Sequence, residues 1–181
     1  SKPYSYMRNY LEAMAGAPFT APSPQAAAPM VLGALHPKML ALAAAKTQGA
    51  HPYLVPPEHT AFAREQLGPE AWLCVEQKVV LCPDAGQARA AARTALALYL
   101  DLPNYRRNIM RWGMTADDFA NGGSDRLVDL LVAWGNERAI RDRIEAHYRA
   151  GATHVCIQPV HPEGVPIPDW RVLDMCAPGK G

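Results

Sequence analysis

Charge is scarce in this sequence. Asp, Glu, Lys and Arg make up 19% of its 181 residues and balance to +1. Such a balance offers no basic footprint for nucleic acid. No apolar run approaches the roughly 20 residues that a bilayer-spanning helix needs. The opening residues do not follow the pattern of a signal peptide. The expectation is a cytoplasmic protein that engages neither nucleic acid nor membrane. Cys74, Cys82, Cys156 and Cys176 form no Cys-x-x-Cys pair, which argues against zinc, so no metal is expected. Three of them fall in apolar, strand-like runs and read as buried thiols of a reducing compartment. An initiator methionine is also lacking: Ser1 fits a processed terminus, a tag remnant or the cut edge of a longer chain.

What the sequence does have is hydrophobic residues, at 49%, and enough length for one domain with a sizeable core. Residues 6–15 have helical spacing, with Met7, Tyr10, Leu11 and Met14 on one side. Residues 17–29 hold four prolines and no periodicity, and read as a loop. Strands and helices then alternate. The sequence predicts strands at 30–34, 50–55, 72–82 and 153–160, with helices at 37–47, 57–67, 84–100 and 169–175 between and after them. Pro37 suits a first helical turn, and Asp84 and Ser124 suit N-caps. From 103 to 151 the pattern reads as helix only, with Ile140, Ile144, His147 and Tyr148 facing inward on the last helix. Continuous apolar strands alternating with helices point to an α/β fold with a covered parallel sheet. In such folds ligands sit at the C-terminal ends of the strands.

Two strand ends carry candidate chemistry. After the strand at 30–34, the turn Gly33-Ala34-Leu35-His36-Pro37-Lys38 opens a helix. The first N–H groups of a helix lack internal acceptors and, with the helix dipole, attract phosphate or carboxylate. The alternative is an ordinary strand-to-helix turn. After the next strand, His51 and Tyr53 share one face and could line a substrate pocket, or be a satisfied histidine and a packed tyrosine. Gln158 ends the last strand as a third pocket candidate. Glu76 and Lys78 share a face of the long strand and read as an ion pair or an exposed strand end, or as a carboxylate reaching the pocket. Arg106, Arg107 and Arg111 read as a solvated helix face, or as contacts for an anionic ligand tail. His59 and His161 read as surface residues.

The stretches GALHPKMLALAAAKTQGAHPYLVPPEHT, EQKVVLCPDAGQARAAAR, LDLPNYRRNIMRWG, GGSDRLVDLLVAWG and GATHVCIQPV together resemble the luciferase-like monooxygenase superfamily, and within it the actinobacterial oxidoreductases that use the deazaflavin coenzyme F420. The resemblance implies a (β/α)8 TIM barrel, of which this chain, a single domain over 1–181, holds about strands five to eight, with a helical insertion at 103–135. It implies that backbone amides of Leu35, His36, Lys38 and Met39 hold a cofactor phosphate, and that His51, Tyr53 and Gln158 line the substrate pocket. Relatives carry Gly-Pro at this turn, where this chain has His36-Pro37. A full barrel needs about 250 residues, so strands one to four and the family's acid/base residues have no counterpart here, and no catalytic residue is assigned. The implied activity is hydride transfer to or from a small organic substrate. FMN in place of F420, or a non-catalytic barrel fragment acting in assembly, are the alternatives. Open sheet edges at 30–34 and 153–160 imply a homodimer or swapped assembly.

Overall fold

A computed structural model of the chain describes residues 2–18, 20–22 and 24–177. Helix α1 (Pro3–Ala15) precedes strand β1 (Val31–Leu32), α2 (Pro37–Lys46), β2 (Gly49–Ala50), α3 (Pro57–Leu67) and the long β3 (Trp72–Leu81). Then come α4 (Ala85–Leu100), α5 (Pro103–Met110), a 3-10 segment (Ala116–Gly122), α6 (Asp125–Leu131), β4 (Val132–Gly135), α7 (Glu137–Arg149), β5 (His154–Pro159) and α8 (Trp170–Cys176). Among the described residues no helix is long and apolar enough to cross a membrane.

The starts of these helices follow from local chemistry. Proline occupies the first turn of α1, α2, α3 and α5, where its missing N–H costs no bond. The side chains of Asp84, Ser124 and Asn136 accept the backbone N–H three residues on, at 2.7, 3.1 and 3.0 Å, and so cap α4, α6 and α7.

All strand pairs are parallel, in the order β1-β2-β3-β4, with β5 on β3. Lys78 and Val79 pair with Val132 and Ala133 of β4 and with Gln158 and Pro159 of β5. The two neighbours therefore lie on opposite edges of β3, which is the spine of the sheet. Side chains alternate across a strand. Val75, Gln77 and Val79 are buried on the face that takes α7 and α8, and Cys74, Glu76 and Lys78 point to the other face. Leu40, Leu73, Leu96, Ile109, Leu127 and Ile140 are among the fully buried side chains.

A buried polar tie crosses the helical face. His147 of α7 accepts from the Thr60 hydroxyl at 2.8 Å and donates through Nε2 to Gln77 Oε1 at 2.8 Å. Gln77 in turn donates to the carbonyl of Leu131. Burial holds the His147 pKa down to about 4, so the ring is neutral and can serve as acceptor and donor at once.

Several expectations are corrected. The 103–151 stretch is not helix only: Val132–Gly135 leaves α6 and joins β3 as β4, because the free edge of β3 beyond β2 needs a hydrogen-bonding partner. β1 and β2 have two residues each, since the chain departs from the sheet early to form the loops described below. Tyr148 is exposed, as are Tyr10 and Met14, while Leu11 carries the buried contact of α1. Cys74 and Cys156 are half-buried and only Cys82 is buried, because the face of β5 that carries Cys156 has no layer over it among the described residues. His59 is wholly buried.

β2 and β3 approach so closely at Gly49 that an added Cβ would lie 1.9 Å from the Trp72 carbonyl oxygen. Gly49→Ala must push the strands apart, with an expected loss of about 2 kcal/mol and a thermal midpoint lower by roughly 4–8 °C. Gly16→Ala, whose added carbon meets nothing closer than 3.8 Å, is the control and stays within about 0.5 kcal/mol of the parent. Differential scanning calorimetry of both variants checks this.

Candidate functional site

The chain leaves β1 through Gly33 and turns into α2 at His36-Pro37. It leaves β2 through His51-Pro52-Tyr53. Because β1 and β2 are neighbouring parallel strands, both exits open on the same end of the sheet. They line one cavity of about 430 Å³, with Gly33, Leu35, His36, His51, Tyr53 and Arg107 among its walls. That volume suits a small molecule or part of a cofactor. A Cβ on Gly33 would meet no atom within 4 Å, so the turn borders open space.

One end of the cavity is electropositive. Among the described residues, the backbone N–H groups of Leu35, His36 and Lys38 have no acceptor, whereas Met39 N–H already donates to the His36 carbonyl at 2.9 Å. The dipole of α2 adds partial positive charge at this corner. Arg107 of α5 brings a guanidinium to the same wall. Burial, and then the charge of Arg111, push the His36 pKa down, and its Nε2 is a buried atom without a hydrogen-bond partner among the described residues. Lys38 points to solvent.

The other end carries groups able to move protons. His51 Nδ1 lies 2.6 Å from the Cys74 carbonyl oxygen. That oxygen only accepts, so Nδ1 carries a proton, and in this tautomer Nε2 is the nitrogen that can accept. Tyr53 Oη receives a bond from Lys78 Nζ at 2.8 Å, donates to Gln158 Oε1 at 2.8 Å, and lies 2.9 Å from the Tyr99 hydroxyl. Burial pushes the Tyr53 pKa up, so it stays a phenol. Lys78 also bonds Glu76 at 3.3 Å, with both side chains almost fully buried, and lies 4.6 Å from the centre of the Tyr53 ring. Burial pushes the Glu76 pKa up, against the pull of Lys78. The second Glu76 oxygen accepts the N–H of Leu54 at 2.9 Å. Leu54 has φ +58°, a left-handed conformation that a branched residue adopts at a cost. The buried carboxylate stabilises it and so sets the direction in which Tyr53 leaves the strand.

Of the candidates from sequence, Leu35, His36, Met39, His51 and Tyr53 converge on this cavity. Gln158 reaches it only through Tyr53 and Lys78. Lys78, Tyr99 and Tyr105 belong to the site without having been singled out for it. The signal available in sequence was a lysine in a strand otherwise fit to be covered. Arg106 and Arg111 are not simply solvated: their guanidiniums lie 4.1 and 4.7 Å from the rings of Phe119 and Phe62.

Lys78→Met leaves the Glu76 carboxylate buried without its partner and is expected to cost about 3–5 kcal/mol. The double variant Glu76→Gln, Lys78→Met removes both charges and keeps an acceptor for Leu54, so it should be the more stable of the two. Urea unfolding of the set measures the difference; a Lys78→Met loss under about 1 kcal/mol would show that the pair does not organise the network.

The sequence matches no family model and no curated protein. Its fold does match solved structures. Coenzyme F420-dependent tetrahydromethanopterin reductase from Methanopyrus kandleri superposes with a TM-score of 0.60 at 19% identity, over 75% of this chain and 46% of that one. An F420-dependent secondary alcohol dehydrogenase, solved with an F420-acetone adduct, superposes with a TM-score of 0.52 at 13% identity, over 74% and 44%. The chain thus spans about half the length of the structures it matches. What it shares with them is a fold, a parallel α/β sheet that corresponds to part of a (β/α)8 barrel.

Proposed function

We propose that this chain supplies the phosphate-binding and part of the substrate-binding wall of a deazaflavin-dependent oxidoreductase, transferring hydride to or from a small organic substrate. The observation that carries the reading is the convergence of the Leu35–His36 turn, which opens α2, and of His51 and Tyr53 on one cavity. The residues present fit a phosphate-bearing cofactor: N–H groups without a partner among the described residues, a helix N-terminus and Arg107 border the cavity, with open space beside Gly33. That both solved structures described above are F420-dependent supports F420 over other phosphate-bearing groups.

When bound, the deazaflavin would supply the hydride donor or acceptor. This chain's residues would do the rest that their positions allow. The amides of Leu35, His36 and Lys38 would hold the phosphate, and Tyr53, polarised by Lys78, would turn its single hydroxyl proton from Gln158 Oε1 to a substrate oxygen. His51 Nε2 would accept one. The remaining contacts would come from strands that complete the barrel.

Fluorescence titration with F420 and, separately, FMN tests the reading. Binding of F420 in the micromolar range, tighter than FMN, is expected. Tight FMN binding without F420 binding would reverse the cofactor assignment, and binding of neither would favour a non-catalytic role in assembly.

We propose further that the outer edges of β1 and β5, which pair with no strand among the described residues, meet strands of a second copy of the chain. Unpaired strand edges present rows of free N–H and C=O groups and invite such pairing. Light scattering on the purified protein should show a dimer, and a monodisperse monomer would overturn the assembly.

A further inference from the structure

His59 lies outside the cavity wall, yet it touches the residue that opens the anion-binding turn. It sits in the first turn of α3, is wholly buried, and is flanked edge-on by the rings of Phe62 and Trp112 at 5.9 and 5.7 Å between centres. Its Nε2 lies 2.9 Å from the carbonyl oxygen of Leu35. Its Nδ1 is buried with no partner among the described residues. A carbonyl oxygen only accepts, so Nε2 carries the proton and donates. Burial first, and then the charge of Arg111, hold the His59 pKa down to about 4, which keeps the ring neutral near pH 7.

The consequence lies in the peptide group that follows. Leu35 C=O and His36 N–H belong to one peptide unit, and no peptide in the described chain is cis. In a trans peptide the two bonds point in opposite directions. With Leu35 C=O tied to His59, His36 N–H must point away from α3, and both Leu35 and His36 border the cavity. Rotation of that one unit would present the carbonyl oxygen to the cavity instead. A donor would become an acceptor, and an anion would meet a partial negative charge.

We infer that His59 is a positioning residue that sets the polarity of the Leu35–His36 peptide, so that the turn presents N–H groups to a phosphate ester or inorganic phosphate. This rests on the phosphate-binding reading of the turn given above. The role asks little of the imidazole beyond one fixed N–H donor at the Nε2 position. Glutamine can place an amide N–H near that point, whereas leucine fills similar space without a donor.

The test combines two variants with one spectroscopic signature, on the full chain. Affinity for F420 and for inorganic phosphate is measured by isothermal titration calorimetry in the parent, His59→Gln and His59→Leu, each first shown to be folded by its thermal melt. His59→Leu is expected to bind roughly tenfold more weakly, the loss associated with one hydrogen bond to a charged ligand site, and His59→Gln within about threefold of the parent. Nitrogen-15 NMR of the parent should show His59 as the Nε2–H tautomer, a readout independent of binding and of the fate of either variant. A folded His59→Leu that binds as the parent does, or an Nδ1–H tautomer, would overturn the positioning role and leave the phosphate reading intact. If the parent binds neither F420 nor phosphate, the phosphate reading falls and this inference falls with it.

Discussion

Two opposite charges taken out of water on one face of β3 organise this end of the molecule. Lys78 and Glu76 are both nearly inaccessible, and each must find partners there or carry a large desolvation cost. Glu76 finds Lys78 and the Leu54 N–H. Lys78 finds Glu76, Tyr53 and Gln158. The demand to satisfy two ions thus ties the exit of β2, the middle of β3 and the end of β5 together. The rings of Tyr53 and Tyr99 lie 4.6 and 5.0 Å from the ammonium, a favourable arrangement for a cation beside π faces, and Tyr105 packs on both, with ring centres 5.2 to 6.3 Å apart within the cluster.

The sheet is unevenly covered, and the unevenness separates structure from chemistry. Its helical face is closed by apolar packing and by one neutral polar tie through His147. Its other face carries the charged residues, and along β5 it is left half-open, with Cys156 half-buried and Gln158 exposed. In a complete barrel this face would look inward. The cavity lies at the strand ends of β1 and β2, as expected for the loops of a parallel α/β fold. Its two ends differ in kind: backbone N–H groups and a guanidinium at one, and an imidazole lone pair and a polarised phenol at the other.

Much of the architecture was legible in the sequence because it is local. Proline at first helical turns, the caps at Asp84 and Ser124, and the apolar run of β3 each act within a few residues, and the elements stand where these signals lie. β4 was missed because Val132–Gly135 follows an amphipathic helix without a break, and only the open edge of β3 makes it a strand. Tyr148 was misplaced because an apolar-looking stripe says nothing of how wide the opposing surface is. His59 reads as a surface residue in sequence because nothing in its neighbours along the chain reveals Trp112 or Leu35 C=O beside it.

The sequence alone determined the alternation of strands and helices, the parallel sheet it implies, and a glycine-bordered turn with free N–H groups, all consequences of short-range sterics and hydrogen bonding. Tertiary structure decided which of those features meet. It placed the Leu35 turn and Tyr53 around one cavity, buried Lys78 against Glu76, and set His59 behind the peptide whose direction it holds. These are meetings of residues 18 to 24 positions apart, or of charges whose burial depends on the whole sheet. No local pattern records them, because their energies arise only once distant segments have excluded water together.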